Sequence, residues 1–247
     1  MDDPHIFIDI SPALASSDNI EQILKKYYRV WMNSNTKDLF IKKDRENAFN
    51  HILPWSIDCR SMNNEIAYAF RQIDELIKKG ITDTKKQGKV KWVTFADVML
   101  QYYSNDVAYR IASLWDKLGQ IINVYFLNSM LSNREVYFYK VGKELKKGRI
   151  FPELSTFIDD ICASKSFKDL NSYRNDFTHN LTHELANRYK LSGTFWHTDD
   201  LISLLIDSYG QLSGAFEFVL NSVGKYAAST EVTDFQEMHD KTPFFAG

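Results

Sequence analysis

The chain has 247 residues, of which 44% are hydrophobic and 25% are charged, so it is long enough to bury a sizeable core in one elaborated domain. Ten glycines and five prolines exclude collagen-like and low-complexity chains. A formal net charge of −2 excludes a long-range field that would gather nucleic acid or an anionic membrane.

The location of the protein is predicted from what the sequence lacks. Cys59 and Cys162 are too few for a disulfide framework and have no CxxC spacing, so the sequence indicates neither a stabilising disulfide nor a thiolate metal site. The first residues are acidic where a secretory signal is basic, and no run of 18 apolar residues occurs. We therefore expect a cytoplasmic protein that does not span a membrane.

Apolar residues recur with a period close to 3.6 over most of the chain, which predicts helices. Asp18 and Glu21 have the spacing of a capping box and predict a first helix that runs to about Asn33. An irregular stretch with Pro54 follows, and a second helix is predicted from Ser61 to Lys79, ending before a glycine.

The middle of the chain predicts further helices. Residues 94–131 predict one long kinked helix or two successive ones, because Ser104-Asn105-Asp106 and Gly119 interrupt the apolar positions. Pro152 suits the first turn of the next helix. Two segments, 5–10 and 135–141, are rich in β-branched or aromatic residues and are left open as non-helical.

The last part of the chain predicts two more helices. Ser166 and Asp169 have capping-box spacing and open a helix with Leu170, Tyr173 and Phe177 on its apolar stripe. A long final helix is predicted from Thr198, with Gly210 and Gly214 forming a notch for close packing. We predict one all-α domain over residues 1–247, an antiparallel bundle with an N-terminal elaboration (1–58), lysine-rich loops and a C-terminal tail (229–247).

The most informative segment is Arg174-Asn175-Asp176-Phe177-Thr178-His179. If Phe177 points to the core, His179 points about 160° away from it, beside Asn175 one turn earlier, and Arg174 reaches the rim of the same surface. A lone helical histidine is usually a core or a solvated residue, but this phase disfavours the core. Imidazole moves protons near neutral pH and guanidinium binds phosphate oxygens, so the trio suits phosphate-ester chemistry.

This segment resembles the Arg-polar-x-x-x-His signature of HEPN domains, the all-helical ribonucleases of toxin–antitoxin, phage-abortive and CRISPR-associated systems. The resemblance implies a homodimer in which two motifs form one cleft that cuts single-stranded RNA without metal. It also implies that His179 is the general acid or base, that Arg174 stabilises phosphoryl charge, and that Asn175 orients His179 or the phosphate. HEPN toxins often carry a tyrosine where this chain has Leu181, so silencing by modification of that tyrosine is not expected.

Two alternatives remain open at this point. Asp176, His179 and His183 have the spacing of three metal ligands on one helix face, so Asp176 and His183 are either accessory residues or part of a metal site. The second alternative is a helical module that binds RNA or a partner protein without cutting it.

Two lysine-rich segments offset the neutral net charge locally. Lys85, Lys86 and Lys89 lie in the first segment, and Lys143, Lys146 and Lys147 lie in the second. With tyrosines nearby, these lysines would guide a phosphate backbone, although solvated loops of this composition are common.

From the sequence we predict a metal-independent endoribonuclease that needs no cofactor and acts as a toxin or antiviral effector. Its expected partners are single-stranded RNA, a second copy of the chain and an antitoxin or defence-system protein.

Overall fold

The computed structural model describes residues 8–33, 43–79, 95–127, 131–132, 134–149, 151–179 and 198–229, without the side chains of 27–33, 43–53, 176–179 and 224–229. These residues form helices and no strands, which confirms the all-α prediction. The helices are α1 (Ser11–Asn33), α2 (Lys43–Lys78), α3 (Phe95–Phe126), α4 (Phe138–Gly148), α5 (Pro152–Ala163), α6 (Lys165–His179) and α7 (Thr198–Ser229).

One hydrophobic core runs through the described part of the bundle. Helix α3 is central, because it packs against α2, α4, α6 and α7, while α1 packs against α2 and α7. The apolar stripes predicted for the second and last helices are buried there, for example Phe70 and Phe216. Aromatic pairs join distant helices, as in Trp55 with Phe216 and Phe70 with Tyr209. Burial of such large side chains dominates the stability of a helical core.

Helix α1 begins seven residues before its predicted start, so the capping-box prediction was wrong. The carboxylate of Asp9 accepts the N–H of Ser11 at 2.9 Å and so bonds one of the backbone donors that the first turn leaves without a helical partner. Glu21 lies within the helix and forms ion pairs with Arg60 of α2 and with Lys25. The spacing of Asp18 and Glu21 therefore lies inside a helix and does not mark a helix end.

Helix α2 continues through Pro54, where the sequence predicted an irregular stretch. A proline inside a helix costs roughly 3 kcal/mol, because it removes a backbone donor and crowds the preceding turn. Packing of the next residue helps to offset this cost: Trp55 is buried, and its indole N–H donates to the carbonyl oxygen of Lys117 at 2.6 Å. The predicted end of this helix, at Lys79, is confirmed to within one residue.

Helix α3 is a single helix across both predicted interruptions. Two side chains of the polar triplet bond to neighbouring side chains: Asn105 accepts from Gln101 at 2.9 Å, and Asp106 accepts from Arg110 at 2.9 Å. The third, Ser104, is buried and its hydroxyl has no hydrogen-bond partner. Gly119 allows α4 to approach, since a Cβ there would lie 3.1 Å from the backbone nitrogen of Phe138. The glycine is thus a packing site and not a break.

The second lysine-rich segment is helix α4 and not a loop, and residues 138–141 are helical. Phe138, Val141 and Leu145 are buried on one side, with the i, i+3, i+7 spacing of an amphipathic helix. Gly142 lies on that side too, where a Cβ would come within 2.5 Å of Cγ2 of Ile158. Absence of a side chain at residue 142 lets α4 lie directly on α5.

Helices α5 and α6 meet at Ser164. Pro152 occupies the first turn of α5, as predicted. The cap of α6 is Ser164, whose hydroxyl oxygen accepts the N–H of Phe167 at 3.3 Å, so the capping box predicted at Ser166 was displaced by two residues. The hydroxyl of Ser166 instead donates to Oε1 of Gln211 on α7 at 2.9 Å.

A buried polar cluster joins α1, α2 and α7. The fully buried amide of Asn63 donates to the carbonyl and hydroxyl oxygens of Ser17, both at 3.1 Å. Its oxygen accepts the hydroxyl of Tyr209, which is also fully buried. Asn63 of α2 thus bonds to α1 through its amide nitrogen and to α7 through its amide oxygen, which fixes the register of the three helices.

The last helix begins at Thr198, as predicted, and carries the predicted buried stripe. The notch predicted at Gly210 and Gly214 was wrong, because a Cβ at Gly214 would meet no atom within 4 Å and one at Gly210 would meet only Ser16 at 3.8 Å. In the described parts of the chain, no helix is apolar over a length sufficient to cross a bilayer.

Candidate functional site

Helix α6 holds the residues of the predicted catalytic motif. Arg174 is half-buried and Asn175 is exposed, while the backbone stays helical to His179, the last residue of the helix. Asn175 and His179 therefore lie one helical turn apart. The side chains of Asp176 and His179, and the whole of His183, are outside the described residues, so the convergence of the motif side chains stays a prediction.

Tyr173, next to Arg174 in sequence, anchors this end of α6 to α3. Its ring is buried, its hydroxyl donates to Oδ1 of Asn105 at 2.5 Å, and it accepts from Nε2 of Gln101 at 2.7 Å. Buried hydroxyls that are fully bonded restrict the rotation of the helix that carries them. This anchor fixes which side of α6 faces α3 and hence where Arg174 lies.

Asp116 on α3 is a candidate site residue that the sequence analysis missed. Burial raises the pKa of its carboxyl group, whereas the backbone N–H of Phe138 and the positive charge of Arg174 lower it, and the net pKa is raised. Asp116 thus bonds to the first residue of α4 and interacts electrostatically with the guanidinium of the motif. The sequence shows only a carboxylate between Trp115 and Gly119, and the structure is needed to show that this part of α3 contacts α4.

Three aromatic rings, one each from α3, α4 and α6, pack together beside Asp116. Trp115 of α3 lies 4.7 Å from Phe138 of α4 and 5.4 Å from Phe167 of α6, between ring centroids. Phe138 and Phe167 are themselves 6.1 Å apart. Contacts between three helices at one point hold Asp116, the start of α4 and the motif helix in a fixed relation.

The predicted RNA-binding lysines fall into two groups. Lys143, Lys146 and Lys147 lie on α4, where Lys146 pairs with Asp159 and Lys147 pairs with Glu144, each at 2.6 Å. Lys143 instead lies over the ring of Tyr139, 5.4 Å from its centroid. Lys85, Lys86 and Lys89 are outside the described residues.

Both cysteines of the chain lie in the described residues, which can also be searched for clusters of metal ligands. Burial raises the pKa of Cys59 far above its usual value and that of Cys162 to about 11, so both thiols are protonated near neutral pH. No three His, Cys, Asp or Glu side chains come together as a metal site within the described ranges. The predicted set of Asp176, His179 and His183 is outside those ranges and is not tested by this observation.

Comparison with known proteins adds a family relationship. Residues 55–228, well over half of the chain, match the model of a family described as Cthe2314-like HEPN. The match includes the whole motif in α6, Asp116 and helix α4. No curated protein and no solved structure matches the chain.

Proposed function

Because this chain belongs to the HEPN superfamily, we propose that it is a metal-independent endoribonuclease that cuts single-stranded RNA with Arg174, Asn175 and His179. Membership in itself indicates a function connected with nucleotides. The observation that carries the finer proposal is the complete Arg174-Asn175-x-x-x-His179 string within a family match that spans it. By composition, such a string is expected by chance only on the order of 0.01 times in a chain of this kind.

In the proposed reaction, the ribose 2′-oxygen attacks the adjacent phosphorus. A P–O2′ bond forms and the P–O5′ bond breaks, which leaves a 2′,3′-cyclic phosphate and a 5′-hydroxyl. The 2′-hydroxyl proton passes to a base, and the leaving 5′-oxygen takes a proton from an acid. One imidazole of His179 performs one of these transfers, and the same residue of a second copy is available for the other.

Arg174 stabilises the charge that develops on the phosphoryl oxygens. A guanidinium stays charged at all relevant pH values and binds two phosphate oxygens in a fixed fork. Its electrostatic interaction with Asp116 supports this role, because a carboxylate that attracts the guanidinium would orient it before RNA binds. Asn175 is exposed and lies one helical turn before His179, and its proposed role is to orient either the imidazole or the phosphate.

We propose a homodimer as the active form. In a single copy the exposed Asn175 side chain is hydrated, whereas a symmetric interface between two α6 helices would exclude water and orient both motifs. A role as a toxin or antiviral effector, with an antitoxin or defence-system partner, stays a prediction from the family resemblance.

The experiment is cleavage of a fluorescein-labelled single-stranded RNA by purified protein in EDTA. We expect cleavage with cyclic-phosphate ends, and we expect Arg174→Ala and His179→Ala to reduce it by at least about 100-fold, the range found for charge-stabilising donors and for general acid–base groups. Circular dichroism and sedimentation show whether the variants keep their helices and oligomeric state. Equal cleavage by the variants would refute the assignment.

Two other outcomes would support the alternatives. Cleavage that EDTA abolishes and His183→Ala weakens would favour a metal site with Asp176, His179 and His183. RNA capture without strand scission, unchanged by His179→Ala, would favour a binding module instead.

A further inference from the structure

We propose that Tyr137 and Tyr139 form a stacking subsite for a nucleobase of single-stranded RNA beside the Arg174 site. This inference deepens the proposed function and rests on it for the identity of the ligand. It assigns recognition of the base to two tyrosines and leaves the chemistry at the phosphate to the motif of α6.

The two tyrosines are exposed although they flank a core residue. Tyr137 is 41% exposed and Tyr139 is 44% exposed, while Phe138 between them is 1% exposed. Their rings lie 6.0 Å apart with an interplanar angle of 18°, so both present nearly parallel faces. The extended backbone of Tyr137, with φ −116° and ψ 144°, and the start of α4 at Phe138 produce this alternation. Parallel exposed rings on a fixed helix end are a platform for flat ligands.

The subsite lies at the start of α4, which is bonded to Asp116 of α3 and packs against Phe167 of the motif helix α6. The N–H of Phe138 donates to Asp116, and the positive charge of Arg174 lowers the pKa of that carboxyl group. Gly119, one turn after Asp116, is in contact with the backbone of Tyr137 and Phe138, because a Cβ there would lie 3.4 Å and 3.1 Å from their atoms. The start of α4 is therefore held against the same turn of α3 that faces the motif. The proposal therefore requires that an RNA strand bound at Arg174 extends along the start of α4 to the tyrosine pair.

The lysines of α4 support this ligand class. The ammonium groups of Lys140 and Lys143 lie 5.3 and 5.4 Å from the ring centroids of Tyr137 and Tyr139. Exposed cation–π contacts of this kind are weak, so a base can displace the ammonium group, which then reaches a phosphate of the same strand. Alternating aromatic and basic groups are the usual means of binding single strands without sequence preference. Lys146, by contrast, already pairs with Asp159.

A stacking subsite also explains why the ligand would be single-stranded. Bases in a duplex are stacked on one another and cannot lie flat on a protein ring, whereas an unpaired base can. The tyrosine pair would accept any base, because every base has an aromatic face. Sequence preference, if the enzyme has one, would come from other contacts.

The test uses the full chain and a 2′-O-methyl RNA oligonucleotide, which lacks the attacking hydroxyl and cannot be cut by the proposed route. Binding is measured by fluorescence anisotropy, and stacking by quenching of a 2-aminopurine base in the same oligonucleotide. We expect Tyr137→Leu/Tyr139→Leu to raise Kd by about tenfold or more and to abolish the quenching. Tyr137→Phe/Tyr139→Phe keeps both rings and should bind and quench as the wild type does.

Tyr68→Leu is the matched control, since Tyr68 is 56% exposed on α2 and its ring contacts Tyr103 of α3. The control should leave both the Kd and the quenching unchanged. Wild-type affinity and quenching in the Leu double variant would overturn the subsite, and so would equal losses in the Phe double variant.

Failure of the subsite and failure of the proposed function give different results. If ordinary RNA is cut by the wild type and by the Leu double variant alike, and both bind the 2′-O-methyl RNA equally, the nuclease proposal is supported and the subsite is refuted. If quenching depends on the tyrosines but no RNA is cut, the subsite is supported and the nuclease proposal is refuted. If the wild type binds no RNA, both proposals are refuted.

Discussion

Two helical glycines offer a direct test of how closely α4 is seated on α5. In Gly142→Ala the new methyl group would lie 2.5 Å from Cγ2 of Ile158, whereas carbon atoms in contact are about 3.5–4.0 Å apart. Ile158 is 1% exposed, and its branched side chain is stiff about χ1, so it cannot rotate away. One of the two helices must therefore move by about 1 Å.

The magnitude follows from two opposing terms. Overpacking of a core costs about 1–3 kcal/mol, while replacement of a helical glycine by alanine gains about 0.5–1 kcal/mol. We expect Gly142→Ala to lower the free energy of unfolding by about 1 kcal/mol or somewhat more. Gly214→Ala on α7 is the matched control, because its methyl group meets no atom within 4 Å, and it should raise that free energy by about 0.5–1 kcal/mol.

The assay is thermal unfolding followed by circular dichroism for both variants and the wild type. A difference of about 2 kcal/mol corresponds to about 4–8 °C in Tm for a chain of this size. The double variant Gly142→Ala/Ile158→Ala supplies a further check, because the added methyl group then partly fills the space that Ile158 vacates. If both alanine variants were equally stable, or if the two substitutions at the α4–α5 contact were simply additive, the reasoning from close approach would be wrong.

Three further predictions concern polar groups. Tyr209→Phe leaves the buried oxygen of Asn63 without its donor and should lower the free energy of unfolding by about 1–3 kcal/mol, measured in urea with an unchanged m value. Tyr173→Phe removes the hydroxyl that bonds to Asn105 and should cost about 0.5–1.5 kcal/mol by the same measurement; no loss would argue against the anchor. Burial raises the pKa of Asp116 in the folded state, so its ionisation opposes folding. Wild-type stability should therefore fall, relative to Asp116→Asn, as pH rises from the usual carboxyl range through the raised pKa, and a difference independent of pH would contradict this.

The sequence predicted helices well where apolar stripes are long. The stripe on α7 placed its start at Thr198, and the stripe on α2 placed its end near Lys78, because burial of one face determines where such helices form. The same reasoning found Pro152 at the first turn of α5. Local pattern and tertiary packing agree at these positions, so no knowledge of the neighbours was needed.

The errors share a physical cause, which is that contacts across the fold outweigh local preference. Pro54 lies inside a helix, and the residue after it, Trp55, is buried between α3 and α7. Gly119 and Gly142 are places where other helices approach closely. The local pattern predicts breaks at Pro54 and Gly119, because it carries no information on the helices that approach these residues. Helix α4 was missed for this reason, since its glycines and aromatic residues conceal a regular buried stripe.

The candidate site likewise contains residues that the sequence predicts and residues that only the fold brings together. Arg174, Asn175 and His179 follow from spacing along one helix, which the sequence contains in full. Asp116 does not, because it comes from a helix far away in the chain and only the fold places it near Arg174. The two tyrosines could be noted as neighbours of lysines, but their parallel rings depend on where α4 begins.

The buried amide of Asn63 has a practical consequence for anyone shortening the chain. Both of its donors bond to Ser17, which lies on α1, outside the residues that match the family model. A fragment cut at the limits of that match would lose α1, leave the amide of Asn63 unpaired and uncover the side chains that pack on Ile20 and Leu24. Loss of solubility in such a fragment would therefore reflect the chosen boundary and would say nothing about the activity of the motif.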